Sequence, residues 1–438
     1  LAASYYFYGC WDWRFLFLLA FSTVLDYVSG LRIHGARTAA GKRAWLVASM
    51  VINLGFLGLF KYYDFFAESF AALMANLGLS VSPPLLKLIL PVGISFYTFH
   101  GLSYVFDIYH GRIAPNREPV TYALFVAFFP LLVAGPIERA THLLPQLQRP
   151  RVFDASRAAD GCRQILWGLF KKMVIADRAA ILLNPVFEAP GEYSGSTIAW
   201  AAVLFAFQIY GDFSGYSDIA LGTARLLGIE LLRNFSFPYF SRDIAEFWRR
   251  WHITLGSWFR DYVYLPLGGG LTRGARARNL LATFALSGLW HGANWTFPAW
   301  GLLHGAYHLP MVAAGARPAR DDPSWRDLHR IAFTALLVTI AWVLFRATSL
   351  QHASDYLIGM ARNAMSSPGA ALLHVWRPEM LWAVAMLAVE WRARRRQHAL
   401  EAMPAAAALR WVAYLLLALL IIAHIDLRTP HAFIYFQF

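Results

Sequence analysis

Long apolar stretches recur through this chain, and short clusters of arginine and lysine separate them. The clearest are Trp13 to Leu31, Trp45 to Phe60, Leu85 to Tyr109, Ile198 to Gly211, Ile331 to Phe345, Met380 to Val389 and Trp411 to Ile425. A helix crossing a bilayer core needs about 20 mainly apolar residues, and it satisfies its own backbone polar groups where no water can. The pattern predicts an all-α fold: a polytopic transmembrane helical bundle of roughly ten spanning or re-entrant helices. One integral-membrane domain over residues 1–438 is expected. The chain starts without Met and close to an apolar segment, so a preceding first transmembrane helix is expected to be missing from it.

Composition matters here for what it excludes. A soluble chain of 438 residues would carry about 25% charged residues; this one carries 15%, with 58% hydrophobic residues and a mean hydropathy of +0.43. The net charge of +13 would suit nucleic acid, but the basic residues cluster between apolar stretches. Arg32, Arg37, Lys42 and Arg43 form one such cluster; Arg392, Arg394, Arg395 and Arg396 form another. That is the arrangement of cytoplasmic loops. The loop from Glu188 to Ser196 has two glutamates and no basic residue, which places it in the periplasm. Cys10 and Cys162 have no metal-site spacing. Phe65 to Leu79 reads as an interfacial amphipathic helix. Tyr122 to Val133, stopped by Gly135-Pro136, reads as a re-entrant hairpin. Ile165 to Leu183 carries Lys171 and Lys172 and reads as tilted or partly interfacial, and the aromatic tail from Phe433 to Phe438 falls outside the last span.

The candidate reaction centre is the stretch Phe247 to Trp300. It holds Phe247-Trp248-Arg249-Arg250-Trp251-His252, then Trp258-Phe259-Arg260-Asp261-Tyr262, and ends near Trp290-His291-Gly292-Ala293-Asn294. His291 follows an apolar run, which puts an imidazole at membrane depth. Such a ring suits proton abstraction from a hydroxyl, and the small residues Gly292 and Ala293 would leave room for a substrate. A core histidine bonded to a neighbouring helix is the competing reading from the residues alone. Arg249, Arg250 and Arg260, with Trp251 among them, are candidates to hold a phosphate-bearing acyl donor, with His252 lining the same place. An interfacial helix with its arginines on lipid headgroups competes with that reading. Asp212, Ser214 and Asp218 would line a cavity, orient a histidine or cap helix ends; the two aspartates lie about 240° apart on a helix and share no face. Trp290 and Asn294 are further lining candidates. His304 and His308 have the i, i+4 spacing of metal ligands but no third ligand, so no metal is expected. Gly268-Gly269-Gly270 lacks the Lys-Ser/Thr ending of a phosphate loop, and no Gly-x-Ser-x-Gly elbow is present.

These motifs resemble those of the membrane-bound O-acyltransferase family, and within it the bacterial polysaccharide branch typified by the membrane subunit of alginate O-acetyltransferase. Leu90 to Phe99, Val133 to Arg139, Asp212 to Asp218 and the closing Phe433 to Phe438 are similar to that branch as well. His110 stands where the branch is expected to carry an arginine before Gly111. The resemblance implies a helical bundle with a central funnel or tunnel. It matches His291 to the family's catalytic histidine and His252 to its second, motif-bearing histidine. It implies acetyl-CoA as cytoplasmic donor substrate, with no permanently bound cofactor. The acetyl group would pass across the bacterial inner membrane to a periplasmic partner of the SGNH, serine-hydrolase type, and on to hydroxyls of an exported polysaccharide. Peptidoglycan as acceptor, or a carrier-bound donor, keeps the same chemistry. A polysaccharide or lipid transporter is the alternative from another class, and the internal repeats that would mark one are not found.

Overall fold

The computed structural model describes residues 1–270, 272–316, 321–362, 380–401, 403–404, 406–425 and 433–434. Every regular element among them is a helix. Among the described residues, five helical paths are long and apolar enough to cross a membrane: Phe15–Gly35, Ala39–Asn76, Gly195–Leu226, Trp325–Arg346 and Ala407–His424. The packing divides into two compact units, residues 1–152 with 229–231, and residues 153–228 with 232–438.

The first unit holds α1 (Ala2–Asp12), α2 (Phe15–Gly35), α3 (Ala39–Leu57), α4 (Tyr63–Asn76), α5 (Ile94–Tyr109), α6 (Pro119–Ala127), α7 (Phe129–Leu132) and α8 (Ala140–Gln148). Thr38 opens α3 by accepting the Gly41 N–H at 3.1 Å, which supplies one of the donors a helix start leaves over. After α3 the backbone widens into a π-turn over Gly58–Tyr62 and continues as α4. The separate interfacial helix expected over 65–79 is therefore the far end of one long path. The helix expected from Leu85 starts late. Pro83, Pro84 and Pro91 keep 79–90 without regular structure, and Gly93, at φ 74°, starts α5. A Cβ at Gly93 would collide with the Leu132 carbonyl.

Buried polar groups of α2 and α3 are matched to each other. Asp26 of α2, 1% exposed, accepts from Ser49 Oγ at 2.7 Å and Asn53 Nδ2 at 2.8 Å, both on α3. Ser22 donates to Asn53 Oδ1 at 2.7 Å. The chain between α6 and α7 breaks at Phe128, whose ψ is 108°, just before Phe129-Pro130. Helix α6 extends about 14 Å at 1.5 Å per residue, too short to cross a bilayer core.

The second unit holds α9 (Ala155–Leu169), α10 (Asp177–Glu188), α11 (Gly195–Leu226), α12 (Ile244–Arg250), α13 (Ile253–Phe259), α14 (Arg273–His291), α15 (Thr296–Ala314), α16 (Leu328–Arg346), α17 (Leu350–Arg362), α18 (Leu381–Arg392) and α19 (Ala407–His424). A second π-turn, Phe170–Ala176, joins α9 to α10. The two helices lie along α11 so closely that a Cβ on Gly168 would press on the Gly215 carbonyl, and one on Gly215 on that of Gly168. Lys171 and Lys172, in the segment expected to be tilted or partly interfacial, are paired with acidic residues of the unit: Lys171 Nζ lies 2.6 Å from Asp218 and Lys172 Nζ 2.7 Å from both Asp212 and Asp177. The tail from Phe433 to Phe438, expected outside the last span, is described at two residues, which lie beyond α19. Ile434 is 1% exposed and its N–H donates to Asp212 Oδ2 at 2.6 Å. Residues 435–438 lie outside the described ones.

Helices α14 and α15, 19 residues each, are long enough to cross at about 1.5 Å per residue. Arg273, Arg276 and Arg278 at the start of α14 keep it off the apolar set. The two helices form a tight hairpin: Cβ atoms on Gly288 and Gly301 would collide with the Phe297 and Phe284 carbonyls.

Candidate active site

Two strands of irregular chain in the second unit meet to build the His252 environment. Ser236 N–H donates to Arg250 O at 2.8 Å and Ile253 N–H to Asn234 O at 2.9 Å, so 234–236 runs beside 250–253. Phe237 and His252 both have left-handed backbones, at φ 48° and 43°. A bulky residue adopts that conformation at a cost of about 1–3 kcal/mol, and such residues concentrate at functional sites. Helix α12, which leads into His252, is fixed at its start by Asp243 accepting the Glu246 N–H at 2.7 Å. Inside it, Glu246 accepts from Arg242 Nε at 3.0 Å and from Arg250 Nη2 at 2.8 Å.

The His252 ring is 1% exposed. Its Nδ1 lies 2.9 Å from Asn234 Oδ1. The same oxygen accepts the Thr254 hydroxyl at 2.8 Å and the Thr254 N–H at 3.4 Å, and Asn234 Nδ2 donates to Ser217 Oγ at 3.3 Å. Phe213 of α11 meets the ring edge-on at 4.7 Å, and Trp290 lies 6.1 Å away. Burial pushes the imidazole down to about 3, because a charged ring has no water there. On the far side of Asn234 is a small polar crevice of about 20 Å³, lined by Lys171, Tyr210, Ser217, Asp218 and Arg233, room for one water.

His291 is the last residue of α14 and is 4% exposed. Its surroundings are aromatic: Trp290 at 4.9 Å, Trp300 at 5.1 Å and Phe345 at 5.3 Å between ring centres. Trp290 touches both histidines, so the fold brings His252, Trp290 and His291 into one buried group. Gly292, which the sequence suggested as open space, lies against the Phe297 ring, and a Cβ there would collide with it. Its small size closes the hairpin rather than admitting a substrate.

The remaining candidates divide. Asp212, Ser214 and Asp218 lie in the middle of α11, so they cap no helix. Asp212 is held by Lys172 and the Ile434 N–H, Asp218 by Lys171 and Gln164 Nε2, and Ser214 Oγ accepts from Lys171 at 2.8 Å. Asn294 opens α15, accepting the Thr296 N–H at 3.0 Å and donating to Thr348 O at 2.7 Å. Trp251 is 1% exposed and packs on Phe235, Phe247 and Trp342. Arg250 is tied to Glu246 and to Ser236 O. Arg249 is exposed, and Arg260, 64% exposed at its side chain, pairs with Asp261 at 2.8 Å. The i, i+4 pair of α15 is internal: Trp248 Nε1 donates to His304 Nδ1 at 3.2 Å, and the His308 ring bonds the His304 carbonyl at 2.8 Å. Asn234 and Lys171 were not legible as site residues. The one local signal for Asn234 was a polar residue heading the run Phe235-Ser236-Phe237-Pro238.

Residues 116–311, which include both histidines, match the sequence model of MBOAT, the membrane-bound O-acyltransferase family. A probable alginate O-acetylase of Azotobacter vinelandii is 42% identical over 81% of this chain and 70% of its own length. The chain belongs to the membrane-bound O-acyltransferase family. It is a multi-pass helical membrane protein and an O-acyltransferase. A probable alginate O-acetylase of Pseudomonas aeruginosa is likewise 42% identical, over 81% of this chain and 67% of its own length. A peptidoglycan O-acetyltransferase of Helicobacter pylori is 36% identical over 85% of this chain and 74% of its own length. In this O-acyltransferase, then, two histidines of a family-matched segment share one buried aromatic wall.

Proposed function

We propose that this O-acyltransferase moves acetyl groups from acetyl-CoA at the cytoplasmic face of the inner membrane toward hydroxyls of an exported polysaccharide. The observation that carries the reading is the buried group His252, Trp290, His291 in a chain whose relatives are named as O-acetylating enzymes. His291 takes the proton of an acceptor hydroxyl. The oxygen bonds to the thioester carbonyl, the C–S bond breaks, and the imidazolium returns the proton to the departing thiolate. Trp290 walls the path, and His252 lies nearer the donor. Arg249 and Arg260, both exposed, are assigned to the donor's phosphates. Arg250 and Trp251 support that surface from beneath, since Glu246 holds the first and aromatic rings enclose the second. A periplasmic partner of the serine-hydrolase type completes transfer to the polymer.

The test is the acetyl content of the polymer made by cells carrying His291→Ala. It should fall to background with the protein still folded in the membrane; unchanged acetylation overturns the reading. The peptidoglycan relative supports a second acceptor, and mass spectrometry of isolated polymer and murein from the same cells separates the two.

A further inference from the structure

We propose that Asn234 is a positioning residue: it fixes His252 in the one neutral tautomer that carries the proton on Nδ1 and leaves the lone pair on Nε2. The assignment follows from donors and acceptors. The Thr254 N–H, which can only donate, meets the Asn234 side-chain atom facing His252 at 3.4 Å, and the Thr254 hydroxyl turns its proton to the same atom at 2.8 Å. That atom is therefore the amide oxygen, and the amide nitrogen is turned toward Ser217. An oxygen accepts only, so the His252 Nδ1 facing it at 2.9 Å is the protonated nitrogen. In a neutral imidazole the other nitrogen then holds a lone pair. The backbone reinforces this, because the bond from Ile253 N–H to Asn234 O and the left-handed His252 bring the two residues to the same place from opposite chain directions.

The choice of asparagine over aspartate matters to the chemistry. An aspartate would orient the same nitrogen and also favour the doubly protonated ring. A neutral amide orients it without adding charge, and burial keeps the ring neutral. His252 thus serves as a fixed hydrogen-bond acceptor for a hydroxyl or thiol, while the base role stays with His291. The charged or titratable side chains on the elements beside His252 include His291, beside Trp290; Arg233, beside Asn234; and, on α11, Tyr210, Tyr216, Arg225, which Asp160 holds, and Asp212 and Asp218, which lysines 172 and 171 hold. Arg249 and Arg250 precede His252 on its own segment, and Arg250 is held by Glu246.

The inference rests on the reading of His252 as a functional residue, and the test separates the two. The whole chain is prepared in detergent micelles with ¹⁵N-labelled histidine, and the His252 signals are assigned by their loss in His252→Gln. From pH 5 to 8 the wild-type ring should show a protonated Nδ1 and a bare Nε2. Asn234→Ala should yield a mixture of tautomers, and Asn234→Asp a doubly protonated ring at the acid end. Thiol release from acetyl-CoA by the same preparations should fall about tenfold or more in Asn234→Ala with KM little changed. Asn234→Asp should keep activity at high pH and lose it as pH falls through the raised His252 pKa, a second acid limb added to the one that the base His291 gives the wild type. A proton on Nε2 in the wild type, or an unchanged tautomer in Asn234→Ala, overturns the proposal. The expected spectra together with full activity in His252→Gln would instead remove His252 from the reaction and leave the positioning intact. The aspartate variant keeps the acceptor, so the test stands if the alanine variant fails to fold.

Discussion

The two histidines of the second unit sit at opposite kinds of helix end. His252 starts the seven-residue α13 from a left-handed backbone, and its ring is tied by a side-chain amide that Thr254 and Ser217 hold in turn. His291 ends the 19-residue α14 and is boxed by three aromatic rings. The carbonyl end of a helix favours positive charge and the amide end disfavours it. A ring that must hold a proton for part of a reaction belongs at the first kind of end; a ring that must stay neutral belongs at the second. One group of residues therefore offers two chemically different imidazoles about one tryptophan apart.

The largest test of that contrast is to remove each ring. His291→Ala should lower acetyl transfer by about a thousandfold, the size of a lost general base, and His252→Ala by about ten- to a hundredfold, measured as thiol release in membrane vesicles. Equal losses would erase the distinction. Glycines beside the two sites should also respond differently. Gly292→Ala forces a Cβ into Phe297 and should lower stability by about 1–3 kcal/mol. Near His252 a Cβ on Gly256 meets only the Trp248 carbonyl, at 3.7 Å. Gly256→Ala should therefore leave thermal unfolding in detergent unchanged or raise it slightly, since alanine favours helix.

The arginines sharpen the comparison at the proposed donor side. Arg250→Ala removes one of the cations that hold Glu246, a side chain 2% exposed, and should cost about 1–3 kcal/mol in the same unfolding assay. Arg260→Ala, at an exposed pair, should change stability by less than about 0.5 kcal/mol and raise KM for acetyl-CoA. The reverse ranking would move donor binding from Arg260 to Arg250.

Much of the membrane architecture could be read in the chain because a bilayer imposes a local rule. A crossing helix must be apolar along its own length, so Phe15–Gly35 and Ala407–His424 declare themselves within one segment. His252 and His291 were legible for a related reason: each stands in a run of aromatic and small residues that marks it without reference to anything distant. Asp212 and Asp218 show where such reading ends. Their angular separation was visible, but not that two consecutive lysines in a π-turn would meet them from a neighbouring helix. Asn234 lies 18 residues from His252, and its one local signal, a polar residue ahead of Phe235-Ser236-Phe237-Pro238, does not point to that partner.

Gly292 makes the same point from the other side. A small residue after a histidine is compatible with open space or with a close neighbour, and the Phe297 ring that settles it reaches Gly292 only once α14 and α15 pack together. Hydrophobic transfer to the membrane is a property of each segment, and so the chain carries it openly. Hydrogen bonds, ion pairs and steric closure are properties of pairs, and the pairs that shape His252 and His291 exist only where distant segments meet.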